Sequence, residues 1–228
     1  MEIVRKDIKN LHLGVYLPDG RVRVAVPLAV DDEAVRLAVI GKLGWIRRQQ
    51  ARFQAQPRQS EREMVGGESH YFLGRRYRIR VVETSGPCRV ELRGKTILAI
   101  HARADSTAEQ RAAALHRWYR ERMMPLVPPL VEKWEAALGV RVAEWRIRRM
   151  KTKWGSCTPT ARRIWLSLEL VKKQPQCLEY IVVHEMVHLL ERRHDERFLA
   201  LMDEHLPLWR GYRDELNSAP LGHETWDH

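Results

Sequence analysis

The chain has 228 residues, 44% of them hydrophobic, enough for one large or two small packed domains. Its formal charge is +11, and +8 of that falls between Arg141 and Lys173, where ten Lys or Arg face only Glu144 and Glu169. No apolar run of about 18 residues could span a bilayer, "MEIVRKDIKN" lacks a secretory apolar core, and three cysteines without C-x-x-C spacing argue against disulfides or a thiolate zinc knuckle, so the sequence reads as soluble and cytoplasmic.

In chain order, alternating apolar residues in "IKNLHLGVYL" and "RVRVAVPL" flank "PDG" and predict a β-hairpin over residues 2 to 28. A helix follows in "DDEAVRLAVIGKLGWIRRQQARFQ", opened by Asp31 or Asp32, with Val35, Leu37, Ala38, Ile40 and Leu43 as its apolar stripe. The polar "QPRQSEREMVGGES" reads as a loop. Two more hairpins turn at Gly74 and Gly94, and Asp105 or Ser106 opens a helical stretch to about Leu138. Pro125, Pro128 and Pro129 must divide that stretch into two helices, because proline lacks the amide donor and clashes with the preceding turn. Val140, Val142, Trp145 and Ile147 mark a strand, "TPTARR" a turn before "IWLSLEL", and everything from Pro175 reads helical. The pattern is α+β: a β-rich N-terminal region with one helix over 1–104, a helical domain with a small antiparallel sheet over 105–217, and a tail over 218–228.

The chemistry concentrates in "HEMVHLLERRH". His184 and His188, four residues apart, project from one helix face, so two imidazole nitrogens can reach one ion at about 2.0–2.1 Å. Glu185 points to one side, close enough to take a proton from an activated water without being a ligand. Apolar residues surround these three nearly all the way round the helix, and burying two imidazoles and a carboxylate unpaired would cost roughly 1–3 kcal/mol each. A catalytic zinc ion needs a third protein ligand and an open position. Ten residues on, a continuous helix would turn His194 by about 280° net, so the chain must leave the helix between Leu190 and Arg193 for His194 to complete the site. Asp195 and Glu196 suit the first turn of the next helix. Glu196, Glu204 and His205 are the rivals for the third ligand. The spacing is also that of metzincins, but their glycine position is Glu191 here and no methionine follows Met202.

"KTKWGSC" (151–157), "VVHEMVHLLERRHDERF" (182–198) and "LPLWRGYRDEL" (206–216) together resemble the YgjP-like metallopeptidases, a group related to SprT-like and WLM proteins. The N-terminal hairpins and the "GWIRRQQ" helix share the likeness, which covers nearly the whole chain. The resemblance implies a zincin-type peptidase with one Zn²⁺ on His184, His188 and His194, Glu185 as general base, and a peptide or protein substrate. In such sites an edge strand lies beside the metal and pairs with an extended substrate. Trp154, Gly155 and Ser156 are the candidates here, with Gly155 permitting close approach and Trp154 walling the cleft. Trp154 and Trp165 read equally well as core aromatics, and Cys157 as a small buried residue.

Other readings keep the metal or the charge but change the task. One is a metal-dependent hydrolase of nucleotides or phosphoanhydrides. Others are a DNA-associated protease and a zinc-containing binding module, both using the basic segment 141–173, with Arg146, Arg148 and Lys151 on nucleic-acid phosphates. Tyr212, His205 and an arginine of the basic strand are unranked candidates for stabilising the oxyanion.

Overall fold

Val22, Val24 and Val26 alternate with Arg21, Arg23 and Ala25, and a period of two puts all three valines on one buried face of β3 (Arg21–Pro27). The computed structural model describes residues 1–16, 20–55, 63–150 and 153–218, and its chain packs as two units, Met1–Glu61 and Arg62–Leu221. In the first unit β3 is the central strand, with β1 (Glu2–Lys6) parallel and β2 (His12–Tyr16) antiparallel to it. The predicted hairpin is therefore β2–β3, and β1 adds a parallel strand on the other side. Most of the "PDG" turn lies outside the described residues.

The one helix expected after it is two, α1 (Asp32–Gly41) and α2 (Leu43–Ala55), separated at Lys42. Asp31 caps α1 by accepting from the Ala34 amide at 2.7 Å. The expected apolar stripe is corrected: Val35, Val39 and Ile46 pack with the β3 valines, whereas Leu37 and Ile40 are 60% and 49% exposed. Val35 and Val39 are one turn apart and define the inward face, from whose centre Leu37 and Ile40 are rotated by roughly 120–180°.

In the second unit, β4 (Ser69–Phe72), β5 (Arg75–Glu83), β6 (Arg89–Arg93) and β7 (Ile97–Ala102) form a sheet in the order β4-β5-β7-β6. Both predicted hairpins are present, turning at Gly74 (φ +76°) and Gly94 (φ +60°). α3 (Ala108–Met123) is opened by Thr107, which forms a capping box with Gln110, rather than by Asp105 or Ser106. Pro125 lies in a single tight turn, and Pro128 and Pro129 occupy the start of α4 (Val127–Leu138), where missing amides cost least. The boundary expected near residue 104 falls inside this unit. Leu98, Ala99 and Ile100 of β7 are fully buried, and Leu98 and Ile100 share one apolar cluster with Leu115 and Tyr119 of α3. A strand buried that completely needs a helix layer over it.

A second sheet carries β8 (Glu144–Arg148), β9 (Gly155–Thr158) and β10 (Arg163–Ser167) in the order β8-β10-β9. It is mixed rather than antiparallel: β10 pairs antiparallel with β9 across the Pro159–Ala161 turn, but parallel with β8. That places β9 at the sheet edge. Three helices follow, α5 (Pro175–Val187), α6 (Glu196–His205) and α7 (Trp209–Ser218). The α+β class stands, and no helix of the described residues is long and apolar enough to cross a membrane.

Candidate functional site

α5 is buried on nearly every side, by Leu178, Ile181, Val182, Val183, Met186 and Val187 among others, so whatever polar groups it carries are fixed in place. The helix ends at Val187. The amides of Leu189 and Leu190 bond back to Met186 and Val187, three residues earlier, and this tightening turns the chain out of the helix as the position of His194 requires. Asp195 then caps α6, its carboxylate accepting from the Phe198 amide at 3.1 Å.

The result is a cluster of three imidazoles whose nearest nitrogens all lie within 4.8 Å of one another. His184 Nε2 and His194 Nε2 are 3.1 Å apart. Two ligands of one tetrahedral zinc ion at about 2.05 Å would be roughly 3.3 Å apart, so this spacing fits a shared ion. His188 Nδ1 donates to the Glu191 carbonyl at 3.0 Å. A carbonyl can only accept, so the proton sits on Nδ1 and Nε2 is left free as a ligand atom. Glu191, where a metzincin has glycine, thus supplies the backbone group that orients His188. Phe198 packs against all three rings, with centroids 4.7–5.0 Å away.

Burial, and then the charges of His188 and His194, push the His184 imidazole down to about 3, so it stays neutral and able to ligate at ordinary pH. His194 is shifted the same way by burial and by His188. These three residues could hold a metal ion, and the donor set fits one. Glu185 is 5% exposed, and burial pushes its carboxyl up to about 8, against the opposing pull of Lys153.

β9 runs alongside Glu185. A Cβ built on Gly155 would stand 2.6 Å from Glu185 Oε1 and 2.8 Å from Ile181 Cγ2, so glycine is what lets the strand approach so closely. A cleft of about 530 Å³ opens there, bounded by Gly155, Ser156 and Cys157 on the strand side and by His184, Glu185, His188 and His194 opposite. The Cys157 thiol is pushed up to about 11 by burial and by Glu185, which keeps it protonated.

Of the other residues singled out in the sequence, Gly155 and Ser156 line the cleft, but Trp154 does not. Trp154 packs against the hydrophobic core, with the Lys173 ammonium 5.6 Å from its ring, and its carbonyl accepts from the Ser167 amide. Glu196, Glu204 and His205 are absent from the cleft lining among the described residues, and the His205 ring lies against Trp134. Tyr212 packs against the core instead. Arg146 and Arg148 stack over Trp165, Arg146 also pairs with Glu144, and Lys151 lies outside the described residues. Sequence reasoning missed Lys153 and Arg192, which line the cleft, and Phe198, which holds the rings. Their only linear signal is adjacency: Lys153 stands two before Gly155 and Arg192 two before His194.

A family model described as "YgjP-like, metallopeptidase domain" matches residues 10–219. Among solved structures, the metallopeptidase zymogen of Pyrococcus abyssi abylysin is similar at 22% identity and a TM-score of 0.36, over 39% of this chain and 89% of that one. No curated protein matches the chain.

Proposed function

The chain belongs to the YgjP-like metallopeptidase family, and we propose that it hydrolyses peptide bonds with one zinc ion on His184, His188 and His194 and with Glu185 as general base. The observation that carries this reading is the convergence of three imidazole nitrogens beside a buried carboxylate, in a cleft walled by an edge strand. An all-imidazole donor set suits zinc, whereas magnesium prefers carboxylate oxygens, and Glu185 is the only carboxylate lining the cleft among the described residues. When bound, zinc supplies Lewis acidity, which makes a water easier to deprotonate and a scissile carbonyl more electrophilic.

The chain's own groups do the rest. Burial raises the proton affinity of Glu185, which suits it to take a proton from the attacking water and pass it to the leaving amine. It ionises more readily once a cation sits beside it. β9 is paired only with β10 among the described residues, so an extended peptide backbone can hydrogen-bond along the free edge at Gly155 and Ser156. Cys88, Cys157 and Cys177 are free thiols, which suits the reducing cytoplasm.

Glu185→Gln tests the reading. The variant should keep its zinc while hydrolysis of an unfolded protein such as casein falls by about 10²–10⁴. Undiminished hydrolysis would remove Glu185 from the mechanism, and a wild type that holds zinc but cuts nothing would make the site structural.

A further inference from the structure

The cleft lining carries three charged side chains besides the histidines: Glu185, Lys153 and Arg192. Glu185 is committed to proton transfer, so the substrate meets two cations and no other anion among the described residues. Lys153, two residues before β9, enters from the strand side of the cleft. Arg192 enters from the turn between α5 and α6 that delivers His194. The two therefore reach the cleft from the strand side and from the turn side. Neither makes an ion pair among the described residues, in contrast to Arg146, Arg163 and Lys172 of the basic segment 141–173, which pair with Glu144 and Glu169. Both are exposed, so their charges are available to an incoming chain.

We propose that Lys153 and Arg192 are specificity-determining residues that select peptides with Asp or Glu close to the scissile bond. The proposal rests on the peptidase reading above and names its substrate class. An acidic peptide is favoured over a phosphate-bearing ligand by the free edge of β9, whose backbone groups match an extended chain and offer nothing particular to a phosphate. Two exposed cations contribute modestly to binding and more to discrimination, since a like charge in the same cleft is repelled as an opposite one is drawn in.

The test uses three fluorogenic peptides identical except for Glu, Gln or Lys on either side of one scissile bond. The full-length zinc-loaded chain should cleave the Glu peptide roughly three- to tenfold faster in kcat/KM than the Gln peptide, with the Lys peptide slowest. Added salt should shrink that difference. The double variant Lys153→Glu with Arg192→Glu should reverse the order, a gain for the Lys peptide that a misfolded protein could not show. Binding of the same peptides to Glu185→Gln, followed by fluorescence anisotropy, reads the preference without turnover. Equal binding and equal cleavage of all three peptides would overturn the proposal. Acidic preference in binding with no cleavage by wild type would leave the charge selection standing and remove the peptidase reading. ATP that displaces the acidic peptide and is itself hydrolysed would overturn the proposal and reassign both cations to phosphate.

Discussion

His184 sits on a helix buried on nearly every side and His188 caps its C-terminal end, whereas His194 stands exposed in the turn beyond. The backbone of the first pair is fixed by core packing, which orders α5 whether or not an ion is bound, and the Glu191 carbonyl then sets the His188 ring. The third imidazole depends on local chemistry: the tightened exit from α5, the Asp195 cap of α6 and the Phe198 ring behind it. The difference teaches how one helix and its C-cap can present two imidazoles and a carboxylate yet leave the third imidazole to a turn, where position is easier to lose.

The most damaging way to test the comparison is Phe198→Ala, which removes the ring common to both halves. It should cost about 3–5 kcal/mol in urea unfolding and weaken zinc binding through all three imidazoles together. Next comes the cost stored on the buried side. The Glu185 carboxyl is raised from 4.5 to about 8 in the folded chain, so between those values the unfolded chain binds fewer protons than the folded one. Stability of the zinc-free protein should therefore fall by a few kcal/mol as pH rises from about 4.5 to 8. Glu185→Gln should flatten that segment of the pH profile, and parallel profiles for the two proteins would contradict the buried placement.

A smaller effect is expected from Gly155→Ala, whose Cβ would collide with Glu185. Hydrolysis should drop about 100-fold through displacement of the base and strand, with a loss of about 1–3 kcal/mol in stability. Gly211→Ala, with nothing within 4 Å of its Cβ, is the control that should be harmless. The smallest change sharpens the exposed side alone: Asp195→Ala should cost about 1 kcal/mol through the lost cap and lower zinc affinity through His194, with α5 untouched in hydrogen exchange.

How much of this could be read from the sequence follows the same divide. His184, Glu185 and His188 were legible because four-residue spacing on an apolar helix fixes a shared face without any tertiary knowledge. The helix exit before His194 was legible because continuous rotation would have carried it away from that face. The two cations were not, since lining a cleft depends on how the start of β9 and the α5–α6 turn meet in space. Leu37 and Ile40 misled for a related reason: hydrophobicity named them as core, but Val35 and Val39 had already fixed the buried side of α1. The parallel pairing of β8 and the shared core of β7 and α3 are likewise tertiary facts with no periodic signature.

The most direct measurement is zinc content by native mass spectrometry on the wild type, His194→Ala and Glu185→Gln prepared side by side. One zinc per chain in the wild type and in Glu185→Gln, with depleted zinc in His194→Ala, is the predicted result. Full zinc retention in His194→Ala, or a wild type that takes up none, would contradict the three-histidine centre on which the account stands.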